Sequence, residues 1–173
     1  GRRTATRRSG PMTGKVNGVP TRLALSMGDA DAQLPLVLVV DDYADTREMY
    51  ATYLQFSGFR VAEAANGLEA LEKTRELLPD IILMDLALPK MDGWEATRRL
   101  KADERTSHIL IVALTGHALA GHAEGARQAG CDAFVTKPCL PDAIVAEIQR
   151  MLSARRSTSD TLRDAGNSDG PSS

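Results

Sequence analysis

The sequence of 173 residues has few aromatic residues, few cysteines and no long hydrophobic run. With 4% aromatic, 43% hydrophobic and 25% charged residues, its composition is typical of a soluble globular protein, not of a fibrous one. Two cysteines, Cys131 and Cys139, are too few for a disulfide framework and match no metal-binding spacing. The longest unbroken apolar run, at 109–114, is far shorter than the roughly 18 residues of a membrane-spanning helix. We therefore expect a cytoplasmic protein that has no membrane partner.

Charge is unevenly distributed along the chain. Residues 1–33 contain six Lys or Arg and two Asp, residues 153–173 contain three of each sign, and the stretch between contains twelve basic and eighteen acidic residues. Both ends lack hydrophobic periodicity and are too polar to form a core. The sequence predicts a disordered basic tail at 1–33, one domain at 34–155 and a disordered polar tail at 156–173. The acidic excess of the middle predicts an anionic site, and no nucleic-acid partner is expected.

Short apolar runs alternate with segments of helical period, which predicts βα units and a parallel sheet. Five runs are predicted as strands, at 34–40, 60–64, 81–84, 109–114 and 133–135. The first, third and fourth show no polar alternation, as expected for central strands covered on both faces. Five helices are predicted, and three of them have predicted ranges, at 45–55, 92–101 and 119–129. The second helix along the chain is marked by the core-facing residues Leu68, Leu71 and Leu78. The last helix is marked by Ile144, Val145, Ile148, Met151 and Leu152.

Polar residues follow the predicted strands at their carboxyl ends, the edge where open parallel sheets bind ligands. Asp41 and Asp42 follow the first strand, Asp85 the third, and Thr115 the fourth, while Lys137 follows the fifth. Singly, each has an ordinary explanation as a helix cap, a turn residue or a strand end. Their shared position at one edge of the sheet favours a site.

Three carboxylates in one pocket repel one another unless a cation neutralises them. Mg²⁺ suits such oxygen ligands and commonly bridges carboxylates to a phosphoryl group. A lysine ammonium and a threonine hydroxyl opposite the ion could hold the remaining phosphoryl oxygens. Asp85 would then be the nucleophile that forms an acyl phosphate.

Four segments together resemble the receiver domain of bacterial two-component response regulators, in the single-domain, chemotaxis-regulator-like form. They are VLVVDDY at 37–43, ILMDLALPKMDGWEAT at 82–97, IVALTGHA at 111–118 and AGCDAFVTKP at 129–138. The resemblance implies a flavodoxin-like α/β fold with strand order 2-1-3-4-5. It also implies phosphoryl transfer to Asp85 from a histidine kinase or a histidine phosphotransfer protein.

The same resemblance assigns roles to individual residues. Asp42, Asp85 and the backbone carbonyl of Ala87 would ligate Mg²⁺, for which Mn²⁺ could substitute, and Asp41 would act mainly through water. Lys137 would pair with the phosphoryl group and the Thr115 hydroxyl would complete its cradle. Phe134 occupies the aromatic switch position, and Thr115 would move with it. Slow self-dephosphorylation is expected, without conventional enzyme turnover.

Three functions remain open at this stage. The first is a stand-alone phosphoacceptor that switches the surface of the fourth helix, fifth strand and fifth helix for a downstream protein target, since too few residues follow the last helix for an effector domain. The second is a receiver-like binding module that is not phosphorylated. The third is a phosphatase with an Asp nucleophile, which would need a second acid where Ala87 stands.

Overall fold

The five predicted strands form one parallel sheet in the order β2-β1-β3-β4-β5, which confirms the predicted topology. The structure is a computed structural model that describes residues 33–116, residue 125 and residues 127–165. The strands are β1 (Leu36–Val40), β2 (Arg60–Ala64), β3 (Ile81–Asp85), β4 (Leu110–Thr115) and β5 (Ala133–Thr136). Every connection between paired strands is a crossover, because parallel strands cannot be joined by a hairpin.

The order of the sheet follows the apolar content of the strands. Every residue of β3 is buried, and β1 and β4 are exposed only partly and only at their ends. β2 and β5 lie at the edges and keep more exposed side chains, as their mixed sequences predicted. The central strands therefore carry Asp41, Asp85 and Thr115 on a buried framework.

Three helices follow the first three strands: α1 (Ala44–Phe56), α2 (Gly67–Leu77) and α3 (Gly93–Ala102). The side chains of Asn66 and Asp92 cap α2 and α3 by accepting hydrogen bonds from the amides of Glu69 and Glu95. Gly58 and Gly130 have positive φ values of 87° and 94° in the turns after helices, where a side chain would be strained.

Two leucines predicted on the core face of α2 lie at the surface. Leu68 is 45% exposed and Leu78 is 53% exposed, whereas Leu71 is buried as predicted. Leu78 is the residue that ends the helix, in the left-handed conformation, so its side chain leaves the buried face. Ala70 and Thr74 complete that face instead.

The C-terminal helix runs from Pro141 to Ala165. The predicted disordered tail at 156–173 is therefore wrong for residues 156–165, which are helical, and its remaining residues lie outside those described, as do residues 1–32 of the predicted basic tail. Its first half packs on the sheet through Ile144, Ile148 and Met151, and residues 153–161 are exposed. Within the described residues a further helical segment, Gly125 with residues 127–129, brings the helices to five. None of the described helices is long and apolar enough to cross a membrane.

Two apolar clusters cover the two faces of the sheet. One packs α1 and the C-terminal helix against the sheet, and the other packs α2 and α3 against its opposite face. The largest fully buried side chains are Leu38, Leu54, Ile81, Ile82, Leu83, Met84, Leu100, Ile109, Ile111, Leu114, Ile144 and Ile148.

Candidate functional site

The acidic residues meet where β1 and β3 end side by side. Val40 pairs with Met84, so Asp41 and Asp85 are adjacent on neighbouring strands. Asp41 is completely buried, Asp85 is 6% exposed and Asp42 lies exposed beside them. Carboxylate oxygens of these three residues lie within 4.8 Å of one another, a spacing at which they could hold one metal ion. The structure thus brings together the three acids that the sequence placed at this edge.

Lys137 bridges two of these carboxylates. Its ammonium donates to Asp41 Oδ2 at 2.8 Å and to Asp85 Oδ2 at 3.1 Å. Pairing of β4 with β5 brings it there, because its backbone amide donates to the Thr115 carbonyl at 2.7 Å. Burial opposes the charge on Lys137, but its hydrogen bonds with Asp41 and Asp85 hold its pKa above the ordinary lysine value. Lys137 is therefore a cation in this pocket.

The loop after β3 holds the side chain of Asp85. The Ala87 amide donates to Asp85 Oδ1 at 2.9 Å, which leaves the two carboxylate oxygens with different partners. The loop returns to α3 at Gly93, where a Cβ atom would lie 2.2 Å from the Asp85 carbonyl oxygen. Only glycine permits this approach, so α3 begins directly against the backbone of Asp85.

Thr115 and Phe134 lie on the β4–β5 side of the site. Thr115 ends β4, is half-buried and pairs with Thr136. Phe134 lies on the edge strand β5 with 37% of its surface exposed, and the Arg127 guanidinium stands 6.0 Å from the centre of its ring. The aromatic residue predicted as a switch is therefore directed outward in this structure.

Most of the predicted fourth helix lies outside the described residues, together with His117 and His122, which the sequence suggested only as surface residues. Its Gly125 is described, and a Cβ atom there would lie 3.0 Å from the Trp94 ring. Trp94 is half-buried at the start of α3. Gly125 thus makes room for this ring, a role that the glycine content of the segment alone did not predict.

Two contacts near the site were missed by sequence reasoning. Arg47 Nη1 donates to the backbone carbonyl of Asp41 at 2.8 Å, and the buried Tyr50 hydroxyl lies 3.5 Å from Cys139 Sγ. Burial, with the Cys139 contact, raises the pKa of Tyr50 above the ordinary tyrosine value. The signal for Arg47 was its position in the first turn of α1, five residues after Asp42, although the sequence does not show where its side chain folds.

The profile of the response regulator receiver domain family matches residues 37–149, well over half of the chain. The chain belongs to this family. Among curated relatives, the polar-differentiation response regulator DivK of Brucella anthropi is 40% identical over 102 residues, which cover 59% of this chain and 83% of that protein. The receiver fold and the receiver class of function predicted from the motifs are thereby confirmed.

Solved receiver structures share the fold. The chemotaxis protein CheY4 of Vibrio cholerae is 29% identical, with TM-scores of 0.65 and 0.66 for two crystal structures, over 68% of this chain and 98% of that one. The receiver domain of the sensor histidine kinase PA1611 from Pseudomonas aeruginosa PAO1 is 35% identical with a TM-score of 0.61, over 70% and 96% of the two chains. That structure has a magnesium ion coordinated in its active-site cleft.

The acidic pocket of this receiver domain fits such an ion. It offers carboxylate oxygens from three residues, the hard ligands that Mg²⁺ prefers, and among the described residues these three are the one acidic group close enough to hold a metal. One member is exposed, which leaves a path for a hydrated ion. The donor set of this chain is therefore compatible with Mg²⁺ in the cleft.

Proposed function

We propose that Asp85 is the phosphoacceptor of a phosphorylation-dependent switch, supplied by the phosphohistidine of a histidine kinase or a phosphotransfer protein. The observation that carries the proposal is the bridging of Asp41 and Asp85 by one lysine inside a cluster of three carboxylates. In the transfer, a carboxylate oxygen of Asp85 bonds to phosphorus as the bond from phosphorus to the histidine nitrogen breaks, and the imidazole leaves.

Asp42, Asp85 and the Ala87 carbonyl would hold Mg²⁺ or Mn²⁺, with Asp41 acting mainly through water. When bound, the ion would neutralise the carboxylates and the negative charge that develops on the phosphoryl oxygens. The protein supplies the fixed geometry: Asp85 is held by the Ala87 amide and Asp41 by the Tyr43 amide, each at 2.9 Å. Little reorganisation is then needed at the moment of transfer.

Lys137 and Thr115 would stabilise the phosphoryl group once it is attached to Asp85. The Lys137 ammonium already contacts Asp85 Oδ2, so a phosphoryl oxygen at that place could replace the carboxylate as its partner. Leu114 of β4 pairs with Asp85, and Thr115 is the next residue along that strand. These positions support the proposal that both residues respond to a new dianionic group.

The output would be a change of surface. Movement of Thr115 toward the phosphoryl group would leave space behind it, and Phe134, now outward, could turn into that space. A downstream protein would recognise the surface of the fourth helix, β5 and the C-terminal helix. Ala87 offers no polar side chain to a hydrolytic water, which agrees with slow self-dephosphorylation.

The test is incubation with acetyl phosphate and Mg²⁺, followed by intact mass measurement. The wild-type protein is expected to gain one phosphoryl group, the Asp85→Asn variant none, and the Asp103→Asn variant, which removes a surface carboxylate away from the pocket, the same amount as wild type. Hydrogen exchange should then change at β5 and at the C-terminal helix only in the phosphorylated protein.

A wild-type protein that gains no mass would contradict the phosphoacceptor role and would favour a receiver-like module that acts by binding alone. The phosphatase alternative is not favoured, because position 87 holds alanine where that mechanism needs a second acid. Unchanged hydrogen exchange after phosphorylation would contradict the proposed output surface.

A further inference from the structure

The loop between β1 and α1, which carries Asp41 and Asp42, is held from outside through its backbone. The Asp41 amide donates to the Ala64 carbonyl at 3.2 Å, and Arg47 Nη1 donates to the Asp41 carbonyl at 2.8 Å. Both the amide and the carbonyl of one residue are therefore fixed. Since Asp42 follows directly, the direction of its side chain depends on the peptide group that Arg47 contacts.

The Arg47 side chain is itself held in place. Its Nε donates to Glu63 Oε2 at 3.0 Å, and the side chain is only 19% exposed. Glu63 lies on β2 opposite Val39, and the Lys73 ammonium contacts its backbone carbonyl. A planar guanidinium that binds two partners at once loses little further freedom, so it can serve as a rigid brace between β2 and the loop.

We propose that Arg47 is a positioning residue for the divalent-cation site, acting through the Asp41 carbonyl on the acidic pair. The inference rests on the proposed function, in which Asp42 and Asp85 hold the ion. Geometry and charge predict opposite effects here. A positive charge near the pocket repels a cation, so its removal alone would tighten binding, whereas loss of the brace would weaken it. Because Glu63 already neutralises Arg47 at 3.0 Å, the geometric effect dominates.

The experiment measures Mg²⁺ binding to the full chain by isothermal calorimetry, without any phosphodonor. The Arg47→Gln variant is expected to bind Mg²⁺ about tenfold more weakly, the size of effect seen when outer partners of metal ligands are removed. The matched control is Arg60→Gln. Arg60 Nε also donates to a backbone carbonyl, that of Leu34 at 3.0 Å, but at the other end of β2. This control should bind Mg²⁺ like the wild type.

A second variant, Arg47→Lys, keeps the charge but loses the two-pronged contact. The proposal predicts that it also binds Mg²⁺ more weakly than wild type, and this result decides the matter if Arg47→Gln does not fold. Thermal unfolding without cations shows which variants are folded. Wild-type affinity in Arg47→Lys, unchanged or tighter binding in Arg47→Gln, or equal weakening in Arg60→Gln would each overturn the proposal. Failure of the wild type itself to bind Mg²⁺ would instead overturn the metal site, and the positioning role with it.

Discussion

Asp42→Asn is expected to stabilise the folded protein in the absence of divalent cations and to abolish most of its stabilisation by Mg²⁺. Three carboxylates with oxygens within 4.8 Å share one lysine, which bridges only Asp41 and Asp85. The charge of Asp42 is therefore the least neutralised of the three. Replacing the Asp42 carboxylate by a neutral amide removes its repulsion with the other two carboxylates and leaves the shape of the side chain nearly unchanged.

The size of the effect follows from the spacing. Two like charges 4.8 Å apart repel by about 0.9 kcal/mol at the dielectric constant of water and by about 3.5 kcal/mol at an effective value of ~20. Asp42 is exposed, so the lower figure applies to its repulsion with each of the other two carboxylates. Attraction between Asp42 and the Lys137 ammonium offsets part of the second of these repulsions. We expect a gain of about 1 kcal/mol, which for a domain of this size raises the melting temperature by roughly 4 °C.

The assay is thermal unfolding at low ionic strength, with and without Mg²⁺. The wild type should gain stability with Mg²⁺ and Asp42→Asn should not. Mg²⁺ should therefore narrow or reverse the difference between the two melting temperatures. The control, Asp45→Asn, changes another exposed carboxylate, in the first turn of α1. The negative charge of Asp45 interacts favourably with the dipole of α1. The variant should therefore lose up to about 0.5 kcal/mol of unfolding free energy and keep its response to Mg²⁺. A cation-free Asp42→Asn protein that melts below the wild type would refute the reasoning.

Three further substitutions test the framework of the site. Gly93→Ala should destabilise the fold by about 3 kcal/mol in chemical denaturation, because the new Cβ would lie 2.2 Å from the Asp85 carbonyl oxygen. Its control is Gly116→Ala, where no atom of the described residues lies within 4 Å of the new Cβ, and it should stay near wild type. Lys101→Met should lose about 1–2 kcal/mol of unfolding free energy, because the Lys101 ammonium donates to Asp132 and to the Ile109 carbonyl, each at 2.8 Å. Its control is Arg98→Gln, which removes an exposed ion pair with Glu95 and should change the unfolding free energy by less than about 0.5 kcal/mol. Burial raises the pKa of Tyr50, so the neutral phenol contributes stability that is complete below the unfolded pKa of about 10 and is lost as pH rises above it. Unfolding of Tyr50→Phe should therefore depend less on pH above about 10 than that of the wild type, and equal slopes would contradict the buried, neutral phenol.

The fold could be predicted because the central strands are short, continuous apolar runs. Once β1, β3 and β4 are placed, parallel pairing puts Asp41, Asp85 and Thr115 at one edge without further information. The same reasoning failed where helix ends matter. Leu68 and Leu78 satisfy the helical period of α2, but one lies in its first turn and the other ends it in a left-handed conformation. Period alone does not show where a helix stops facing the core.

The length of the C-terminal helix was missed for a related reason. Residues 153–161 have no apolar stripe and are exposed all round, so hydrophobic periodicity is silent there. Hydroxyls of Ser157, Thr158, Ser159 and Thr161 donate to backbone carbonyls four residues earlier, a local arrangement that composition does not reveal. Polar composition alone therefore led to a prediction of disorder that is wrong for residues 156–165.

The pocket itself shows why a site can be predicted in type and not in detail. Each buried acid has defined donors: Asp41 receives the Tyr43 amide and Lys137, and Asp85 receives the Ala87 amide and Lys137. The two amides lie two residues after the acids that they contact, but Lys137 lies 96 residues from Asp41 and 52 from Asp85, so the sequence does not show that pairing. These contacts leave Asp42 as the exposed acid at the mouth of a pocket whose other charges are already held. A cation bound there would relieve the repulsion that Asp42 adds, so the destabilisation by Asp42 without cations and the stabilisation by Mg²⁺ would share one electrostatic origin.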